Sequence, residues 1–419
     1  MPVRTHVGVS LGPESSRAVV VRGGGVLATP AASGDDPGEL FARAAAACPG
    51  PPAGVVVDLS GVLVELVLRR PAELARVAMI RVVPRAASDP ALGRHPDDVI
   101  ERLIGRRYTV PGGHDLCGRE LRPLDRAALR RVVAEIEGGA ARCVAVVAAG
   151  SPAQPRHERE VADTVQSAIP DARISAAHEF GGQGLVHREA TVVLNAALDA
   201  AAERVLDGCE RAAARAFPGV PFHVARGDGG RASASRMRAL PVTGLGAADA
   251  LRLVGAATLA GEADCRVVFA RDEPPVFGDV RGGLAVVRPQ APPELGTVLV
   301  TPTAALTRAD PARLRSGQAS GLPVIEPDTD PDVLGCVGAT ASLPTAWLDE
   351  VAFLESAAEL ERIRRDALAR ATVLATANGA APGSTSVVEV ATVAVPYSPS
   401  GMVRIRVRVA GSPEPGRAP

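Results

Sequence analysis

His6-Val7-Gly8-Val9, then Ser10-Leu11-Gly12-Pro13-Glu14-Ser15-Ser16, then Ala18-Val19-Val20-Val21-Arg22: two short valine-rich runs flank a segment of turn-forming residues. Valine suits a pleated, half-buried surface, and Gly, Pro and Ser between two such runs reverse the chain. Gly23-Gly24-Gly25 turns into a third run, Val26 to Ala28, so the opening reads as a β-meander. Leu40 to Ala47 follows as a helix, Gly54 to Val57 as a buried strand, and Val77 to Val83 as a further strand of continuous apolar character. Buried strands alternating with helices make an α/β fold.

The clearest helix runs from Leu124 to Gly139. Asp125 stands as its N-cap, Leu129, Val132, Val133 and Ile136 recur on one face, and Gly138-Gly139 ends it. Strand Cys143 to Ala148, helix Arg156 to Ala168 and a long Ala-rich helix, Arg188 to Ala216, come next. Arg226-Gly227-Asp228-Gly229-Gly230 is a turn, Ala247 to Ala260 a helix and Arg266 to Phe269 a strand. From Arg271 to Pro331, rich in Pro and Gly, short strands joined by irregular loops are expected. Glu350 to Ala377 reads as one helix with Val351, Leu354, Leu360, Ile363 and Leu368 on one side and Asn378-Gly379 as its stop. Ser386 to Val395 and Met402 to Val409 form a closing strand pair, and Gly411 to Pro419 reads as a disordered tail.

The chain has 419 residues, 47% of them hydrophobic, which suffices for two or three domains with real cores. Its 46 basic and 47 acidic residues leave a formal net charge of -1, so no overall field draws it to nucleic acid or an anionic membrane. Every basic residue is Arg and none is Lys, which reads as the coding bias of a GC-rich bacterial genome. Cys48, Cys117, Cys143, Cys209, Cys265 and Cys336 include no CxxC pair, so buried thiols are expected. Met1 leads directly into an apolar strand and no later segment reads as a membrane span, from which a cytoplasmic protein is expected.

Several stretches together resemble the hydantoinase/oxoprolinase family, in particular its hydantoinase A-like subunits of the shorter bacterial branch. The opening strand, loop and strand match in place. Pro111-Gly112-Gly113-His114, Gly118-Arg119-Glu120, Pro123-Leu124-Asp125, Ser151-Pro152 and His157-Glu158 resemble the family's middle segment. The densest likeness is His178-Glu179-Phe180-Gly181, Gly184 to Glu189 and Leu194-Asn195-Ala196-Ala197-Leu198. Arg226-Gly227-Asp228-Gly229 stands where the family has Gln-Asn-Asp-Gly, and Val395 to Gly401 resembles the short branch's ending. The resemblance implies a two-lobed α/β fold of the actin and sugar-kinase type, ribonuclease H-like in each lobe. It implies a first part of the N-terminal lobe at 1–50, the rest of that lobe with a family-specific insert at 51–225, a shortened C-terminal lobe at 226–346, a helix and strand pair at 347–410, and a tail at 411–419. It also implies ATP-coupled opening of cyclic amides, with a second subunit sharing the work.

The nucleotide elements depart from that pattern. The family's phosphate loops read Asp-x-Gly-Gly-Thr-x-Thr-Asp. Here the first is Ser10 to Arg17 and the second, after Phe269, is Ala270-Arg271-Asp272-Glu273-Pro274-Pro275. The glycine-rich adenosine turn is replaced by Val300-Thr301-Pro302-Thr303-Ala304. A phosphate loop works because Gly lets backbone N–H groups approach phosphate oxygens while a carboxylate holds the metal. Pro13 has no N–H to offer. Glu14, Asp272 and Glu273 put negative charge beside the phosphate position, where like charges 4 Å apart repel by about 4 kcal/mol at an effective dielectric of 20. Ser10 and Ala270 replace the carboxylates that the resemblance assigns to magnesium. ATP and magnesium are therefore expected not to bind, and no cofactor is predicted.

His178, His187 and Glu189 are the candidate catalytic residues, as acid–base groups, the alternative being an ion-paired start of the long helix. Ser10, Gly12, Ser60, Gly61, Asn195 and Asp228 are the candidate cleft residues. Ser60 stands where the family has a His, and Asn195 is either a site residue or a buried amide bonded to a neighbouring loop. Pro13, Glu14, Ala270, Asp272 and Glu273 mark the degenerate nucleotide positions. His157 and Glu158 read as a solvated first helix turn, and no metal site is assigned. Two functions stay open: a non-catalytic, actin-like subunit or small-ligand scaffold that works with a partner, in a homo- or hetero-oligomer with a hydantoinase-type second subunit, or a hydrolase acting on a cyclic amide such as a hydantoin or lactam without ATP.

Overall fold

The computed structural model describes residues 4–34, 36–85, 93–289, 293–308, 321–396, 398 and 400–413. Strand Thr5–Ser10 sits in the middle of the first sheet. It runs antiparallel to Ser15–Arg22 on one side and parallel to Val55–Asp58 on the other, and Val55–Asp58 is parallel to Phe222–Ala225. Gly25–Ala28 and Ala31–Ser33 pair with Ser15–Arg22, and Arg231–Ser233 closes the far edge. The strand-loop-strand opening is thus a hairpin whose loop lies at the end of the central strand, next to the end of Val55–Asp58.

Cys265–Phe269 repeats this plan in a second, smaller sheet, antiparallel to Val276–Arg281 and parallel to Val324–Ile325. Its loop, Ala270 to Pro275, corresponds to Leu11–Glu14 in the first sheet. Two lobes built on one plan are what an actin-type fold requires. Between strands Val55–Asp58 and Phe222–Ala225 the chain inserts an all-parallel sheet of Ile104–Pro111, Val77–Val83, Cys143–Ala148 and Arg173–Ala176. The long helix, Leu185–Ala216, is apolar almost all round from Ala190 to Leu198. It must therefore be enclosed, and it shares one core with the inner faces of the first sheet and the inserted sheet. Helices Arg126–Glu137 and Arg156–Ala168 cover the inserted sheet's other face. A last antiparallel sheet, Thr345–Phe353, Met402–Pro413 and Ala380–Ala394, packs on helix Ala357–Ala377.

The helix expected from Glu350 begins later. Thr345–Phe353 is a strand in register with Met402–Pro413, Val351 facing Arg404. The helix starts at Ala357, after Ser356 caps the N–H of Glu359 and Glu359 reaches back to the N–H of Glu355, a capping arrangement visible as Ser-x-x-Glu. The long helix starts three residues before Arg188, and helices Ser60–Leu68 and Pro331–Ala341 went unread. Gly411 to Pro413 belong to the last strand and not to a tail, while 414–419 lie outside the described residues. The six cysteines are free, and Cys143, Cys209, Cys265 and Cys336 are buried. Pro241–Ala260 is long and apolar enough for a membrane span by length and composition, contrary to expectation, but 72% of that stretch is buried inside the fold.

The lobes are joined backbone to backbone. Helices Ala247–Ala260 and Pro331–Ala341 meet where a Cβ on Gly255 would lie 1.9 Å from the carbonyl oxygen of Leu334, and one on Gly338 would lie 2.0 Å from that of Leu251. Gly8, in the central strand of the first sheet, leaves room for the carbonyl of Cys336, 1.9 Å from where its Cβ would be. Backbone cannot yield as a side chain can. Gly338→Ala is expected to destabilise by about 1–3 kcal/mol and to lower the thermal unfolding midpoint, whereas Ala at Gly335, which meets nothing within 4 Å, should leave it unchanged or raise it.

Candidate functional site

Both hairpin loops open into the cleft between the lobes. On the first side, Leu11 N–H donates to Asp58 O at 3.0 Å and Gly12 N–H to Ser16 Oγ at 3.3 Å. Asp58 Oδ1 accepts the N–H of Ser60 at 2.8 Å, and Ser60 Oγ accepts the N–H of Ala248 from the opposite helix at 3.2 Å. Gly61 packs beneath the loop, where a Cβ would stand 3.1 Å from Leu11 O. Ser10, Gly12, Ser60 and Gly61 therefore gather at one edge, where Ser60 and Gly61 line a cavity.

Pro13, Glu14, Ser60, Gly61, Asp249 and Glu294 line one part of the cleft, a cavity of about 390 Å³. Asp249, Arg252, Asp272, Glu273, Pro274 and Glu294 line the adjoining part, of about 590 Å³, with Thr303 from the former adenosine turn. Gly246, Asp249 and Glu294 belong to both, so Pro13-Glu14 on one side and Asp272-Glu273 with Thr303 on the other border adjoining cavities. Glu14, Glu65, Asp249, Asp272, Glu273 and Glu294 line them against four guanidiniums, Arg69, Arg252, Arg288 and Arg308. Arg252 is engaged: it bonds Asp272 at 2.9 and 3.1 Å and lies over the Phe269 ring, 4.2 Å from its centroid. Burial, with Glu294, Asp272 and Asp58 nearby, pushes the Asp249 carboxyl up to about 6 against the pull of Arg252. Burial also raises Asp58, whose bonds from Ser60 oppose the shift.

Two of the three candidate catalytic residues, Glu189 and His178, are engaged in ion pairs. Glu189 is fully buried and takes a two-pronged bond from Arg81, at 2.8 and 2.8 Å, with Arg107 at 3.2 Å. Glu158 Oε2 accepts the backbone N–H of His178 at 2.7 Å and faces its Nδ1 at 2.9 Å, and Oε1 accepts the N–H of Ala148 at 2.7 Å. Arg188 lies 3.5 Å from Glu158 and bonds Ala148 O and Ser151 Oγ. His187 is exposed. These ties fasten the start of the long helix to the inserted sheet, so the ion-paired reading accounts for them. His157 and Glu158, expected on a solvated turn, are in fact buried because both serve such bonds.

Asn195 satisfies its whole amide: Nδ2 donates to Ser175 Oγ at 3.0 Å and Ala239 O at 3.1 Å, and Oδ1 accepts from Val242 N at 3.2 Å. It is the buried amide of the two alternatives. Asp228, fully buried, accepts from Gly230 N at 3.1 Å, Arg226 Nε at 3.3 Å and Thr345 Oγ1 at 2.8 Å, tying the 226–230 turn to the C-terminal sheet. Neither is among the residues that line these two cavities.

His114, Glu120 and His157 bring ligand-type atoms within 4.8 Å of one another. His157 Nδ1, however, accepts the N–H of Gly113 at 2.9 Å, which leaves the proton on Nε2, where it reaches Glu120 at 3.0 Å. A metal needs that nitrogen free, and its other ring nitrogen would then donate, not accept. The trio is a hydrogen-bonded His–carboxylate pair with His114 stacked on it.

Asp249 gives the cleft a pH signature. A carboxyl raised in the folded state contributes stability below its unfolded value of 3.8 and loses it as pH rises through about 6. Asp249→Asn should therefore raise stability by about 1–2 kcal/mol at pH 8 and leave it unchanged at pH 3.5, read as the difference between the two chains' unfolding midpoints.

No curated protein matches the chain in sequence. Residues 95–169, in the inserted unit, match the model of the hydantoinase/oxoprolinase N-terminal region. This segment contains the Pro111 to Asp125 and Ser151 to Glu158 stretches that carried the resemblance. Among solved structures, an ATP-dependent caprolactamase from Pseudomonas jessenii is similar with a TM-score of 0.73 at 12% identity, over 99% of this chain and 88% of that one. A nucleotide-free acetone carboxylase, described with the mechanism of ATP-dependent acetone carboxylation, is similar with a TM-score of 0.67 at 12% identity, over 99% of this chain and 89% of that one. Fold and matched segment agree: the chain has the two-lobed, actin-like α/β fold of these structures, and its residues 95–169 are similar to the hydantoinase/oxoprolinase N-terminal region.

Proposed function

We propose that this chain is a non-catalytic, small-ligand-binding subunit whose interlobe cleft does not use ATP. One observation carries the reading: Pro13 and Glu14 line one cavity, Asp272 and Glu273 a second that shares Gly246, Asp249 and Glu294 with it, and across the two six carboxylates oppose four guanidiniums. A triphosphate entering there meets repulsion of about 4 kcal/mol per unscreened like-charge contact at 4 Å. No backbone N–H of Pro13 is there to offset it. Ser10 and Ala270, at the ends of the two central strands, have no carboxylate with which to hold magnesium.

The same geometry weakens the alternative of hydrolysis by an acid–base pair in this chain. Glu189 is held by two arginines and His178 by Glu158, which leaves exposed His187 as the one candidate outside these ion pairs, and one group is not an acid–base pair. What persists is the scaffold, and a scaffold of this family acts with a second subunit under this reading. The isolated chain, given hydantoin or caprolactam with and without ATP, is expected to open neither ring, while affinity capture from native extract retrieves a hydantoinase-type partner. Ring opening by the isolated chain, proportional to its concentration, would establish the hydrolase reading in its place.

A further inference from the structure

Four arginines are buried among the described residues: Arg188, Arg226, Arg231 and Arg408. Three of them have a carboxylate in ion-pair reach, Arg188 with Glu158 at 3.5 Å, Arg226 with Asp228 at 3.3 Å and Arg408 with Asp228 at 3.9 Å. Arg231, 4% exposed, has none among the described residues, and its Nε is enclosed without a hydrogen-bond partner. Burial alone lowers its guanidinium to about 10, with no carboxylate near enough to oppose the shift. Charges are almost never buried without a partner, so Arg231 calls for a counter-charge that no described residue supplies.

Its neighbours restrict what that can be. Arg231 pairs with Ala225, and His223 with Ser233, so Arg231 and His223 are diagonal neighbours on one face of the first sheet, a step that long side chains span. Val56 beside His223, and Gly8 beside Val56, set that face against helix Pro331–Ala341. His223 Nδ1 is also enclosed without a partner, while a Cβ on Gly379 would stand 2.8 Å from Nε2. Burial and then Arg231 push His223 down to about 4, and burial, Arg231 and Arg4 lower His6, two residues before Gly8. Both imidazoles are therefore uncharged at neutral pH, and the buried charge is that of Arg231 alone. Water or a hydroxyl would satisfy the bonds and leave that charge in place, and a dianion would exceed it. A carboxylate matches it, its two oxygens fit the paired N–H groups of a guanidinium edge, and it is the group the chain sets against its other buried arginines.

We infer that Arg231 and His223 form a binding site for the carboxylate of a small organic acid, its oxygens taken by the Arg231 Nε–H and Nη–H and by His223 Nδ1–H. The inference goes beyond the proposed cleft function and stands without it, since neither residue lines the cleft cavities. Sodium acetate, titrated into the full chain at pH 7 with sodium chloride holding the ionic strength constant, is expected to raise the unfolding midpoint saturably, with half the effect in the millimolar range. Arg231→Gln should weaken that response at least tenfold. Arg204→Gln, at an exposed arginine bonded to Ala200 O, should keep it. If Arg231→Gln does not fold, the imidazole resonances of the unaltered chain decide: the one missing from His223→Gln should move saturably with acetate and not with chloride. No saturable effect of acetate beyond that of chloride, in midpoint or resonance, would mean ordered water only and would overturn the proposal. A response undiminished in Arg231→Gln would place the acetate elsewhere and overturn it as well.

Discussion

Three glycines let backbone touch backbone between the lobes, and the cleft exists because of that contact. Gly8 admits the carbonyl of Cys336, Gly338 that of Leu251, and Gly255 that of Leu334. The helix that carries Cys336 and Gly338 lies on the central strand of the first sheet while crossing the helix that covers the second. Loops at the ends of two separate sheets are thereby held facing one space. Any larger side chain at these points would push the lobes apart, because interiors packed to crystal-like density have no slack to absorb it.

What the cleft can do then depends on short-range electrostatics and not on the fold, which many unrelated activities share. The scaffold brings the two loops and the former adenosine turn together, as nucleotide binding would need. Under the proposed reading the side chains oppose it, since six carboxylates and four guanidiniums line the two cavities. Asp272 already holds Arg252, and Asp249 is raised first by its burial and then by the carboxylates of Glu294, Asp272 and Asp58. The buried charges outside the cleft serve cohesion: Glu189 with Arg81 and Arg107, and Glu158 with His178 and Arg188, bind the long helix to the inserted sheet. Removing one member would strand the others in a low-dielectric interior.

How much of this the sequence discloses follows the range of the forces. The Asp125 helix was legible to its buried face because cap, periodicity and glycine stop are all local. The hairpin that carries Pro13 and Glu14 was legible because two valine-rich runs around a Gly-Pro-Ser turn are a local signal. Thr345–Phe353 was not, since its Val351 and Leu348 fit a helical face as well as a strand and only pairing with Met402–Pro413 decides. Glu189 and Asn195 were ambiguous for the same reason: their partners, Arg81, Arg107, Ser175 and Ala239, are dozens of residues away. A cavity beside Trp347 left no signal, because its walls come from stretches of chain as far apart as Glu179 and Asn378.

The central claim is that an intact actin-type scaffold here encloses a cleft unfit for a nucleoside triphosphate. Isothermal titration calorimetry of the purified chain with ATP and excess magnesium tests it most directly. The account predicts no saturable heat up to millimolar nucleotide, at low as well as physiological salt. A one-to-one binding isotherm with a micromolar dissociation constant, abolished by adding bulk at Gly12 or Gly61, would contradict it.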